Sequence, residues 1–174
     1  MNLTPVQQKF ILHWGEMGPR WGINRSMAQI HALLYLAGEP LNAETIAETL
    51  GIARSNVSTG LRELQSWGII RMVPRLGDRR DHFESLGDVW DMFRLILLER
   101  KRREADQTLA LLRECESEAS AGDTPDTDTA AKIAAMRELF ELGCTFGDAA
   151  GKLSPKALRR VFQLGEAVFR FTGN

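Results

Sequence analysis

Residues 41–84 read LNAETIAETLGIARSNVSTGLRELQSWGIIRMVPRLGDRRDHFE. Asn42 is a good helix N-cap, Glu44 suits the positive end of the helix dipole, and Ile46, Ala47 and Leu50 share one face, so a helix is expected over Ala43–Leu50. Gly51 should end it, because glycine readily takes the left-handed conformation of a helix C-cap. A second helix is expected to start near Ala53, with Val57, Leu61 and Leu64 as its buried stripe. Its opposite face carries Arg54, Ser55, Asn56, Ser58, Thr59, Arg62 and Gln65, with Glu63 as a carboxylate at the flank.

After Gly68, residues 69–75 read as a strand with Ile69, Ile70, Met72 and Val73 on the apolar side and Arg71 and Arg75 outside. Pro74 restricts that strand to an edge or an end. The segment Leu76-Gly77-Asp78-Arg79-Arg80 is expected to be a loop, and residues 81–85 to return as the second strand. Two helices around the turn Gly51-Ile52-Ala53, followed by a two-stranded hairpin, make a winged helix-turn-helix. A polar helix face is commonly just solvated. This one combines guanidinium, hydroxyl and amide groups, which suits phosphates and base edges. Arginines at a loop tip can enter a minor groove. The competing reading is that Arg79 and Arg80 only pair with Asp78 and Asp81 at the surface.

The run Leu-Gly-Ile-Ala-Arg-Ser-Asn-Val-Ser at 50–58, the wing Asp78-Arg79-Arg80 and the long charged helix after it resemble the GbsR-type branch of the MarR family of bacterial transcriptional regulators, over nearly the whole chain. The resemblance implies that Asp78 orients Arg80, that Arg80 reaches a minor groove, and that Arg54, Ser55, Asn56, Ser58 and Thr59 are recognition-helix positions. One departure stands out: the helix N-cap, often Ser or Thr in such proteins, is Ala53, and losing a cap costs about 1 kcal/mol. The resemblance also implies DNA affinity altered by a small molecule bound between domains, choline-type compounds for some members of the branch. Trp14, Trp21, Tyr35 and Trp90 are the candidates for an aromatic cage. Core packing is the competing reading, and no bound ligand or cofactor is expected.

The chain has 174 residues, is 44% hydrophobic and carries a net charge of -1, enough apolar content for a core and too little positive charge for a general polyanion coat. The charge is segregated. Residues 51–103 hold 11 Lys/Arg against 7 Asp/Glu, and residues 104–150 hold 3 against 11, so any DNA contact rests on a placed patch. The chain shows neither a membrane-spanning run nor a secretory leader, from which a cytoplasmic protein is expected. Cys115 and Cys144 share no metal-ligand spacing with each other or with His13, His31 and His82, and reduced structural thiols are expected. His31 and His82 are expected to pack or to meet a phosphate, and His13 to lie at a surface or interface. With no nucleophile elbow, zinc-protease motif or dinucleotide fingerprint, the chain does not read as an enzyme.

Upstream, a helix is expected over Pro5–Met17 with Val6, Phe10, Ile11 and Trp14 on one face, and another over residues 25–37. Downstream, residues 86–116 read as one long helix, polar through Glu99-Arg100-Lys101-Arg102-Arg103-Glu104, a solvated strut paired i to i+4. Residues 117–129, SEASAGDTPDTDT, read as a flexible connector. Residues 130–150 and 154–171 should then form a helical pair, with Ile133, Met136, Phe140 and Gly143 on one stripe and Leu158, Val161, Phe162, Val168 and Phe169 on the other. Gly143, Gly147 and Gly151 either admit a close helix contact or weaken the helix.

The expected organisation is an N-terminal helix and connector (1–24), at a dimer interface; a winged helix-turn-helix (25–86); a connecting helix (87–116); the acidic connector (117–129); and a dimerisation pair (130–174). The fold class is mainly α with a small β-wing. The expected function is that of a sequence-specific regulator of transcription on double-stranded DNA, a homodimeric repressor with recognition helices about 34–36 Å apart. The DNA-binding set is Arg54, Ser55, Asn56, Ser58, Thr59, Arg62, Arg75, Arg79 and Arg80, with Asp78 orienting the wing. The alternative is a winged-helix module that binds protein instead of DNA.

Overall fold

The computed structural model describes residues 1–121 and 126–172, with side chains through residue 165. The chain divides into two units, Met1–Val89 and Trp90–Asn174.

The first unit opens with α1 (Pro5–Met17), started by a capping box in which the Gln7 amide donates to the Thr4 hydroxyl and the Thr4 amide donates to the Gln7 side chain at 2.9 Å. A 3₁₀ turn, Gly18–Trp21, leads to α2 (Arg25–Leu36), whose cap Asn24 accepts from the Ser26 amide at 2.7 Å. Met27, Ala28, Ile30, Ala32, Leu33 and Leu34 are buried, so α2 is the helix around which the unit is built. Val6 is exposed, contrary to expectation, and α1 packs on α2 through Ile11 and through Gly15, where a Cβ would meet Gln29 at 2.5 Å.

Next come β1 (Leu41–Asn42), α3 (Ala43–Leu50), α4 (Arg54–Ser66), β2 (Ile70–Arg75) and β3 (Asp78–Ser85). Asn42 caps α3 by accepting from the Thr45 amide at 2.9 Å, and Gly51 closes it at φ 63°. Ile46, Val57, Leu61 and Leu64 are buried together with Ile69, Ile70 and Phe83. Gly60 brings α4 onto α2, since a Cβ there would stand 2.7 Å from Ile30 Cδ1. The unit is a winged helix-turn-helix.

Three details differ from the sequence reading. The sheet has three strands in the antiparallel order β1-β3-β2, not two. β1 is only two residues long and doubles as the cap of α3, which leaves no alternation to detect. The expected loop of residues 76–80 shrinks to Leu76 and Gly77, because Gly77 at φ 82° lets the hairpin close on the pair Arg75 and Asp78. Asp78, Arg79 and Arg80 are therefore strand residues. Met72, expected on the apolar side, is exposed opposite Phe83, because the apolar face of this strand ends at Ile70.

In the second unit the expected single helix is α5 (Val89–Arg100), a π-helical turn at Lys101–Ala105, and α6 (Asp106–Ser120). The turn accompanies a burial the sequence reading missed. Glu99 is buried and accepts from Arg102 at 2.7 Å and from Arg103, while Lys101 reaches Asp106 at 2.7 Å and Asp148 at 3.2 Å. Part of the expected i to i+4 pairing is present, as Arg103 with Glu99 and Arg100 with Glu104 at 3.6 Å. α7 (Thr127–Gly151) packs antiparallel to α6, bridged by Arg113 to Glu141 at 2.8 Å and Arg137 to Glu116 at 2.5 Å.

Helix thus extends into both ends of the segment read as a connector. Asp126 caps α7 by accepting from the Thr129 amide at 3.0 Å. Gly147 and Gly151 are close contacts, where a Cβ would meet Lys101 at 3.1 Å and Leu98 at 2.5 Å, whereas Gly143 faces open space. α8 (Pro155–Thr172) starts as expected, with the Ala157 amide donating to Ser154 Oγ at 3.3 Å, and buries Leu158. Its Phe162 meets Trp90 and Phe93, each at 5.5 Å between ring centres, while Val168 and Phe169 lie outside the described side chains.

Candidate nucleic-acid interface

α4 presents Arg54, Ser55, Asn56, Ser58, Thr59 and Arg62 to solvent, as its apolar stripe requires. Ala53 holds the extended conformation of an N-cap, φ -60° and ψ 140°, but supplies no side-chain acceptor to the first turn. Among the described residues, the side chains of Ser55, Asn56, Ser58, Thr59, Arg62 and Arg79 make no hydrogen bond or ion pair within the chain. Their donors and acceptors are available to a partner.

The β2–β3 hairpin folds back beside this helix and encloses a cleft of about 440 Å³. Arg54, Ser58, Arg62 and Gln65 of α4 line one wall, Arg79, Arg80 and Asp81 of β3 another, and Asn42, Ala43 and Glu44 the floor toward α3. Asn56 and Thr59 face a separate depression beside Asn24 and Met27. Arg75 is absent from the cleft and pairs with Glu39 at 3.2 Å. The predicted set is thus split, with Arg54, Ser58, Arg62, Arg79 and Arg80 gathered around one concavity.

Arg80 is held at several points. Its Nε donates to Asp78 Oδ1 at 2.9 Å, its Nη2 to Asp78 Oδ2 at 2.6 Å, and its backbone amide to Oδ1 at 3.0 Å. Arg80 side-chain donation, then the backbone bond, holds the Asp78 carboxyl well below the usual carboxylate range, and Asp78 in turn raises Arg80. Asp78 therefore orients Arg80.

Glu44 has a larger part than the sequence reading gave it. Its carboxylate accepts from Arg54 and, at 2.9 Å, from Arg80 Nη1, which joins α3, α4 and β3. Those bonds, Arg54 first, hold its carboxyl below the ordinary value. Helix position pointed to Glu44 only as a dipole partner; its reach to residues 10 and 36 positions away is a tertiary fact.

His82 is buried, so of its two expected roles it takes packing and not a phosphate contact. Its Nδ1 lies 2.9 Å from the Arg80 carbonyl, which only accepts, so the hydrogen belongs on Nδ1 and Nε2 faces Asp78 at 3.5 Å. The hairpin tip is Leu76, fully exposed, where arginines had been expected. Among the described residues the aromatic candidates are dispersed: Trp14 stacks on Phe10 at 5.0 Å and meets Trp21 at 5.1 Å, Trp90 joins Phe93 and Phe162, and Tyr35 is exposed.

Fold and cleft define the class of winged helix-turn-helix proteins. Within it, residues 21–81 match the model of the MarR family. Among solved structures, one described as the crystal structure of a transcriptional regulator is similar over 91% of this chain and 99% of its own, with a TM-score of 0.66 and 20% identity. That likeness concerns the fold. No curated protein matches the chain. Among the described residues, no helix is long and apolar enough to cross a membrane.

Proposed function

We propose that the chain is a sequence-specific regulator of transcription that binds double-stranded DNA as a homodimer, of the GbsR-type branch of the MarR family, and that it acts as a repressor. The observation that carries this reading is the gathering of Arg54, Arg62, Arg79 and Arg80 around one cleft beside a helix on which the Ser55, Asn56, Ser58 and Thr59 side chains have no hydrogen-bond partner among the described residues. α4 would read base edges in a major groove and the hairpin would follow the adjacent backbone into the minor groove. A dimer bound at a promoter blocks polymerase by occupancy. Small-molecule control rests on the resemblance rather than on an assembled cage.

The test is fluorescence anisotropy on DNA upstream of the chain's own gene and on a scrambled duplex of equal length, over about 50–200 mM salt. Selective binding that weakens with salt is expected. Arg62→Ala and Arg79→Ala should each weaken it and lower the salt slope by about one. Equal, feeble binding to both duplexes would overturn the reading in favour of a protein-binding module.

A further inference from the structure

We propose that Arg54 and Arg80 form a binding site for a backbone phosphate of DNA, and that the Glu44 carboxylate occupies this site as an internal surrogate in the free protein. The inference rests on the DNA-binding reading above. Two guanidinium groups from different elements, one at the start of α4 and one on β3, converge on the two oxygens of a single carboxylate. Such convergence is the geometry in which arginines hold an oxyanion. The site also adjoins the first turn of α4, whose N-cap Ala53 offers no side-chain acceptor, so that helix end adds unsatisfied amides and a positive dipole to the same neighbourhood.

Glu44 lines the cleft with both arginines and is exposed enough to be displaced. Exposed ion pairs are weak, so a phosphate can exchange with the carboxylate. Arg80 keeps its orientation when Glu44 lets go, because Asp78 holds its Nε and Nη2 while only Nη1 is turned to Glu44. The exchange leaves a carboxylate beside the DNA backbone, a like charge that restrains affinity for any duplex. Sequence discrimination comes from the other cleft residues and is unaffected.

Glu44→Gln is the variant to measure, by anisotropy on the upstream duplex and on the scrambled duplex. Affinity should rise about three- to tenfold on both, their ratio should stay constant, and the salt slope should steepen by about one unit. Glu44→Asp, with the charge drawn back by one methylene, should give a smaller gain in the same direction. The gain should vanish when Arg54→Ala is combined with Glu44→Gln. Circular dichroism melts establish that each variant folds. Weaker or unchanged binding by folded Glu44→Gln, while the wild type binds selectively, would overturn the surrogate and leave the DNA reading standing. Absence of binding by both proteins at every salt concentration would overturn the two together.

Discussion

Single residues carry the acid sensitivity of the first unit. His31 lies on α2 with Nε2 3.5 Å from Ser85 Oγ, and burial pushes its imidazole from 6.5 down to about 4. Between those values the unfolded chain binds a proton that the folded chain does not. Stability is therefore full above about pH 6.5 and is lost as the pH falls toward 4, by up to about 1.4 kcal/mol for each pH unit. Urea titrations at pH 7 and pH 4.5 should show this loss, and His31→Gln should reduce it. The sequence placed His31 on an amphipathic helix, but its depth depends on β3 crossing that helix. His82 is similar: its strand position was legible, whereas its burial against Asp78 and Arg80 required the register of β2, β3 and β1.

At the scale of elements, local chemistry was read most accurately where it is strongest. Asn42 and Gly51 bound α3 through caps that depend on neighbours within a few residues, and Ser154 caps α8 where the sequence reading begins it. The hairpin was legible as two strands, but its turn depends on one backbone angle, Gly77 at φ 82°. A side chain there is strained, so Gly77→Ala should cost about 1–2 kcal/mol in a thermal or urea melt. It should also weaken the proposed DNA binding by displacing Arg79 and Arg80. An unchanged melt would show that the turn tolerates a Cβ. The π-helical turn had no local signal. It accompanies Glu99 paired locally with Arg102 and Arg103, and Lys101 laid over Gly147, and the last of these contacts exists only once α7 is in place.

For the whole molecule, the exposed apolar residues of α7 bear on assembly. Met136, Leu139, Leu142 and Phe146 lie on one face of that helix and are exposed in the single chain. The proposed homodimer uses this face, because an apolar stripe of this kind is stabilised by covering it. Sedimentation velocity at micromolar concentration should show a dimer, and Leu139→Glu with Leu142→Glu should shift it to monomer without altering the circular dichroism spectrum. A monomeric wild type would remove the proposed twofold arrangement of DNA-binding helices. The sequence alone decided the helix-turn-helix, which face of α4 is polar and solvent-facing, and the basic character of the wing, because caps, turn glycines and apolar periodicity act over a few residues. Folding in three dimensions decided which arginines share a cleft, that Glu44 stands between two of them, and that Leu76 rather than arginine forms the hairpin tip. These contacts join residues far apart in the chain, and their geometry is set by strand register and helix crossing, which no local pattern encodes.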